Sequence, residues 1–417
     1  MKLKNILVIT YWSYKEGLIQ TYTLPYLRII SENLDSNQKI YLVTFEKKRL
    51  SLNTDEVDKA RNELSKHNIV WLNFNYRKPG LSNYVGLIGK IISLYFLLFR
   101  KGISHIHTFC TPPGALGYIL SLFSGRKLIL DSFEPHAENM EEIGHWDRKS
   151  FKFRMLTWLE NRQIRKAKQV ICTTQGMYDY AKEKYNYQIP QNIFHVKPAC
   201  VDLDLFQPVS DEMKFKGKED LGLAQDIVLA VYAGKLGGIY HDIEIFEFLK
   251  EAHNFWEGNF KFLMLTNTSR EDINEFCKGV DLDPSVVISK FVTHAEVPHY
   301  LGLGDFGITP VKSVPTKRYC TPIKDGEYWA LGLPVAITPN ISDDSEIIEQ
   351  NNIGSIFPTL DENGYRKVLN EINELLSKDK DELTKKIREI SIKYRSFDIA
   401  KNIYRKVYGS QNFQKSA

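Results

Sequence analysis

Twelve short apolar runs, rich in β-branched residues, punctuate this chain at helix-length intervals. They cover residues 6–10, 40–45, 69–74, 105–109, 127–133 and 169–174, then 227–233, 260–266, 286–291, 306–310, 334–338 and 355–358. Each is apolar nearly throughout instead of alternating, as expected of parallel strands covered on both faces by helices. The series restarts after Phe206-Gln207-Pro208 and a polar, lysine-rich stretch at 210–220, so a boundary is expected within 203–222. The predicted fold is α/β, with two Rossmann-like doubly wound domains at 1–205 and 206–393. Residues 394–410 are expected to form a helix that packs back on the first domain through Phe397, Ala400, Ile403, Tyr404 and Val407, with 412–417 frayed. Two such halves facing one another would leave an interdomain cleft at the carboxyl ends of both sheets, where open α/β sheets bind ligands.

Composition narrows the function without naming it. The 417 residues exceed what one core supports, and 43% hydrophobic with 25% charged residues is ordinary for a folded chain. A formal net charge of +4 leaves no nucleic-acid footprint, so no nucleic-acid partner is expected. Cys110, Cys172, Cys200, Cys277 and Cys320 are odd in number and scattered, with neither disulfide-framework nor zinc-knuckle spacing. A reducing, cytoplasmic setting is expected. The first apolar run is too short for a secretion signal, and residues 91–99, between Lys90 and Arg100, fall far below the ~20 residues of a membrane span. The basic segment 149–168, with Lys152, Arg154, Arg162 and Trp158, reads either as a helix resting on the inner face of an anionic membrane or as an amphipathic helix covering the sheet.

Candidate chemistry lies where strands end. Residues 321–335, from Thr321 through Lys324 and Glu327 to Gly332-Leu333-Pro334, read as a loop, a short helix and a stop that feeds a strand. Lys324 and Glu327 share a helix face, where free amides at the helix start suit a phosphate and a carboxylate suits a ribose diol. Gly234-Lys235 follows the strand at 227–233, and a lysine on such a turn can neutralise a diphosphate without a metal ion. In the first half, Gly17 marks a loop after the first strand that departs from G-x-G-x-x-G, against a dinucleotide cofactor. Glu134 and His136 follow directly on a buried strand, so their side chains are expected in the crevice; His136 lacks the neighbours a metal site needs. His105 and His107 share one face of a strand and read as packing residues.

The segments 158–174, 195–208, 231–235 and 322–335 together resemble the GT-B glycosyltransferases, particularly the family 4 type that builds bacterial surface polysaccharides. The resemblance implies a GT-B architecture with an N-terminal acceptor domain and a C-terminal donor domain. It implies transfer of a sugar from a nucleotide diphosphate sugar to a glycan or lipid-linked acceptor, with retention and with no cofactor or metal. Glu327 would take the ribose-binding position, Lys235 and Lys324 the diphosphate, and Gly17 and Gly234 the phosphate loops, with Tyr319 and Thr321 beside the donor. His136 would sit near the donor sugar and acceptor, with Glu134 beside it. Position 319, eight before Glu327, is a tyrosine where the family often carries a second glutamate. That departure motivates one alternative, a catalytically silent partner subunit; a nucleotide-sugar epimerase of the same fold is a further reading.

Overall fold

The computed structural model describes residues 4–76 and 81–409, so the fraying expected at 412–417 lies outside the described residues. The chain divides into two compact units, Met1–Pro198 with Asp398–Ala417, and Ala199–Phe397. The first unit therefore ends at residue 198, where the sequence expectation had placed it at 205.

The first unit contains β1 (Asn5–Ile9), β2 (Ile40–Glu46), β3 (Ile69–Asn75), β4 (Ile103–Phe109), β5 (Lys127–Asp131), β6 (Gln169–Cys172) and β7 (Phe194–Val196), in the spatial order β3-β2-β1-β4-β5-β6-β7. The second contains β8 (Val228–Ala233), β9 (Phe260–Leu265), β10 (Val287–Lys290), β11 (Phe306–Thr309), β12 (Val335–Ile337) and β13 (Gly354–Ile356), in the order β10-β9-β8-β11-β12-β13. Every neighbouring pair is parallel. Both sheets are doubly wound, and the winding reverses beside β1 in one and beside β8 in the other. Connections leave those points in opposite directions, so the space beyond β1/β4 and β8/β11 stays open for side chains that act. Strand β7 has no counterpart among the predicted runs, because three residues at a sheet edge carry too little pattern to register.

Strand burial follows the expected logic. All seven residues of β4 are buried, and Ile6 through Ile9 of β1 are fully enclosed. Helices cover both faces of the second sheet: Phe246, Phe248, Tyr365 and Leu369 pack on one side, and Tyr328, Trp329, Leu331 and Ile387 on the other. One helix of this second layer, Ile323–Ala330, is buried from Lys324 onward without interruption. It is a core element that nevertheless carries three charged groups, Lys324, Asp325 and Glu327.

Candidate functional site

In the second unit, β8 runs out at Ala233 and the backbone turns at Gly234 with φ +152°, a conformation that favours glycine. Space imposes the same choice: a Cβ there would stand 2.9 Å from Tyr232 Oη and 3.0 Å from Lys324 Cε. The Tyr232 hydroxyl fastens the turn by donating to the Lys235 carbonyl at 2.6 Å. Lys235 itself is exposed and makes no ion pair among the described residues.

On the helix Ile323–Ala330, the Lys324 amine donates to the Tyr240 hydroxyl at 2.8 Å and lies 4.1 Å from that ring's centre and 5.3 Å from that of Tyr232. Burial works against its charge, but Tyr240, Tyr232 and Glu327 outweigh burial and raise the amine above its ordinary pKa. Glu327, one turn on, is 6% exposed, and its carboxylate has no hydrogen-bond or ion-pair partner among the described residues. Burial pushes its carboxyl up to about 7, with the Lys324 charge offsetting only part of the effect. A buried carboxylate with nothing to accept from is costly unless a ligand supplies donors.

The helix is held from behind. Asp325 is fully buried, accepts a hydrogen bond from the Thr309 hydroxyl and lies against Asp344, which is ion-paired with Arg395. Burial raises both carboxyls above their usual range. Two further contacts come from the helix Lys380–Arg395: Ser391 donates to the Gly326 carbonyl at 3.2 Å, and Arg388 to the Ala330 carbonyl at 2.5 Å.

These pieces meet in a pocket of about 320 Å³, within the range that holds small ligands. Gly234 and Lys235 line it from the end of β8, Thr266 and Asn267 from the end of β9, Phe291 and His294 from beyond β10, and Glu327 from the helix. Phe291 is 81% exposed, a large aromatic ring left in the open at the pocket edge. Lys324 sits behind the turn instead of on the lining, and neither Tyr319 nor Thr321 lines the pocket; the Thr321 hydroxyl lies 3.1 Å from that of Ser342. A cavity of about 290 Å³ opens at the amino ends of β8, β11 and β12. Its lysines are committed: Lys214 donates to Gly304 and Lys218 to Gln225 and Ile227, with Asp305 beside both, while Lys378 pairs with Glu374 and Lys380 with Asp211.

In the first unit, β5 ends at Asp131, and Ser132 turns the chain with φ +52°. Glu134 follows, gripped by Thr111, whose hydroxyl donates to the Glu134 carbonyl at 2.5 Å and accepts its N–H at 3.1 Å. His136 opens the helix His136–Glu142 and brings Nδ1 within 3.0 Å of Glu134 Oε1. The structure thus joins the two predicted residues as a partly exposed pair at a strand's carboxyl end. Gly17 has ordinary helical φ, −48°, and nothing lies within 4 Å of where its Cβ would be, so glycine answers no steric demand there.

Beneath this pair lie groups that the sequence pattern did not single out. Glu160 accepts from the Ala137 N–H at 3.0 Å and the Tyr185 hydroxyl at 3.1 Å, and burial pushes its carboxyl up to about 8. Asp131 and Lys197, both wholly enclosed, lie 3.2 Å apart. Burial would raise the Asp131 carboxyl, but Lys197, His107 and Tyr404 hold it down at about 2. His107 is a packing residue, as expected: Nδ1 is 2.6 Å from the Tyr408 hydroxyl and Nε2 3.3 Å from Asp131. Asp131 falls inside the run expected at 127–133, and Phe291 closes the run expected at 286–291; neither position in its run signals the enclosure of the one or the exposure of the other.

No family model matches the chain. A putative teichuronic acid biosynthesis glycosyltransferase, TuaH of Bacillus subtilis (strain 168), is 26% identical over 191 residues, covering 45% of this chain and 44% of that protein. The chain thus matches less than half the length of this relative. Among solved structures, the sucrose-phosphate synthase of Thermosynechococcus elongatus aligns with a TM-score of 0.73 at 15% identity, covering 99% of this chain and 100% of that one. Anabaena HepE in complex with UDP-glucose aligns with a TM-score of 0.70 at 14% identity, covering 97% and 99%. The chain has the GT-B fold of these glycosyltransferases.

Proposed function

We propose that this chain is a cytoplasmic glycosyltransferase that transfers a sugar from a nucleotide diphosphate sugar to a glycan or lipid-linked acceptor in surface polysaccharide synthesis. One observation carries the reading: the Glu327 carboxylate and the Lys235 cation, both without a partner among the described residues, line a single pocket at the carboxyl ends of β8 and β9. A ribose diol supplies two donors to the carboxylate, and a diphosphate supplies the counter-charge to the lysine. Phe291 offers its ring to the base. Lys324 and the amides that open its helix, which has no side-chain cap, add positive potential behind the turn. As the donor bond breaks, negative charge grows on the diphosphate, and groups fixed in advance stabilise it without reorganising. No divalent ion is called on, and the Glu134–His136 pair is assigned to orienting groups at the sugar. Support comes from HepE, whose solved complex contains UDP-glucose.

The test is titration of the purified chain with UDP and GDP, followed by assay of sugar transfer from a donor panel with and without EDTA. Tight binding of one nucleotide and EDTA-insensitive transfer are expected. Glu327→Ala should weaken nucleotide binding by about 1–3 kcal/mol. Unchanged affinity in that variant would remove the ribose assignment. Binding without turnover on any acceptor extract would point to a silent partner subunit, the alternative that Tyr319 raises, and donor isomerisation without acceptor would point to an epimerase.

A further inference from the structure

Three neighbouring helices lie on one face of the first sheet: Leu81–Arg100 between β3 and β4, Thr111–Ser124 between β4 and β5, and Phe151–Lys166 between β5 and β6; Gly176–Lys184, between β6 and β7, continues the layer and carries the exposed acids Asp179 and Glu183. Right-handed crossovers on the same side of the reversal place the three side by side, and the middle one packs against both neighbours. Their outward crests are unusually apolar. Ile92 and Phe96 are 50% and 64% exposed on the first helix, Phe123 is 72% exposed on the second, and Phe151, Met155 and Trp158 are 76%, 43% and 52% exposed on the third. Each of the outer two stripes advances by three or four residues, one helix face apiece, so these are not scattered surface residues.

Charge says what covers them. The three helices hold one acidic residue, Glu160, and it is fully buried. Their exposed charged side chains are basic: Arg100 ends the first helix, and Lys152, Arg154, Arg162, Arg165 and Lys166 flank the stripe on the third. The Arg162 guanidinium lies 5.4 Å from the Trp158 ring centre, and Arg126, just past the second helix, lies 5.0 Å from that of Phe99. Over the whole chain, by contrast, acids and bases nearly balance, with 55 basic residues against 51 acidic ones. Aromatic tips on helix crests, interleaved with arginine and lysine and free of carboxylates, match the boundary between anionic headgroups and acyl chains. No helix among the described residues is long and apolar enough to cross a membrane.

We infer that this three-helix face is a docking surface for an anionic lipid bilayer, with Phe96, Phe123, Phe151 and Trp158 entering the interface and the basic side chains meeting lipid phosphates. The basic segment 149–168, ambiguous as a sequence, is one third of that surface. Every residue of the surface belongs to the first unit and its assay contains no nucleotide, so failure here and failure of the nucleotide site are distinguishable.

The full chain is sedimented with vesicles of phosphatidylcholine alone and of phosphatidylcholine mixed with phosphatidylglycerol. Binding to the anionic vesicles should exceed that to neutral ones by about tenfold or more, and should fall by a comparable factor between physiological and 1 M salt. The double variant Phe123→Ser, Phe151→Ser should lose about tenfold in anionic-vesicle binding with its thermal midpoint unchanged, since both rings are already in solvent. The charge variant Arg154→Gln, Arg162→Gln should lose the preference for anionic lipid. A chain that stays in solution with every vesicle, binds both kinds equally, or binds as before in the serine variant overturns the assignment; the first result would leave an acidic protein surface as the partner.

Discussion

Glu327 shows how a single side chain can be legible in its position and illegible in its state. Its spacing from Lys324 and its place before Gly332-Leu333-Pro334 marked it in the sequence, but only burial decides that its carboxyl titrates near 7. If the ionised form accepts a ribose diol, nucleotide affinity should rise between pH 6 and pH 8, by up to about tenfold per unit below the pKa, and calorimetric titration of Glu327→Gln should show no such slope. Glu160 makes a separate prediction. Its folded-state pKa of about 8 lies above the ordinary 4.5, so the folded chain keeps a proton that the unfolded chain releases. That contribution is complete below the ordinary value and is lost as pH rises through 8. Glu160→Gln should therefore unfold later than the parent at pH 9, by roughly 1–3 kcal/mol, and gain little at pH 5. Denaturant midpoints at the two pH values check it; equal gains at both would show that the carboxyl is not protonated in the folded state.

At the scale of elements, the decisive feature is a helix of eight residues, Ile323–Ala330, that could not hold its place alone. The strands around it were readable because an apolar run buried on both faces has a signature of its own. The support for the helix was not, because Arg388, Ser391 and Arg395 come from a helix more than 50 residues further on, and Asp344 from yet another. Removing one member of such a cluster leaves a buried charge uncompensated. Arg395→Met should destabilise the second unit by about 3–5 kcal/mol, whereas Asp211→Ala, at an exposed pair with Lys380, should leave the stability nearly unchanged. Thermal denaturation of both variants checks the contrast, and similar losses would remove the clamp from the account.

For the molecule as a whole, the chain path couples its last helix to its first unit. Tyr404 and Tyr408, on Phe397–Tyr408, supply hydroxyls to Asp131 and His107 beneath the Glu134–His136 pair. A chain ended at residue 397 should lose several kcal/mol from the first unit, since Asp131 forfeits a buried donor and the core an aromatic layer. The second unit, continuous from Ala199 to Phe397, should keep its nucleotide affinity. Two separated unfolding transitions in the shortened chain, only the upper one shifted by nucleotide, are the expected calorimetric result; a single unchanged transition would contradict it.

The amino-acid order alone determined the strand series, its restart, the α/β class, the placing of Gly234 and Lys235 just after a strand and that of Glu327 on a short helix, because periodicity and turn chemistry are local and survive without neighbours. Tertiary structure decided the rest. It enclosed Asp131 with Lys197, left Phe291 exposed beside the pocket, moved Lys324 behind the turn and aligned three apolar helix crests. Each of those depends on residues far apart in the chain meeting in a low-dielectric interior or on a shared face, and no short window of sequence encodes who the partner will be.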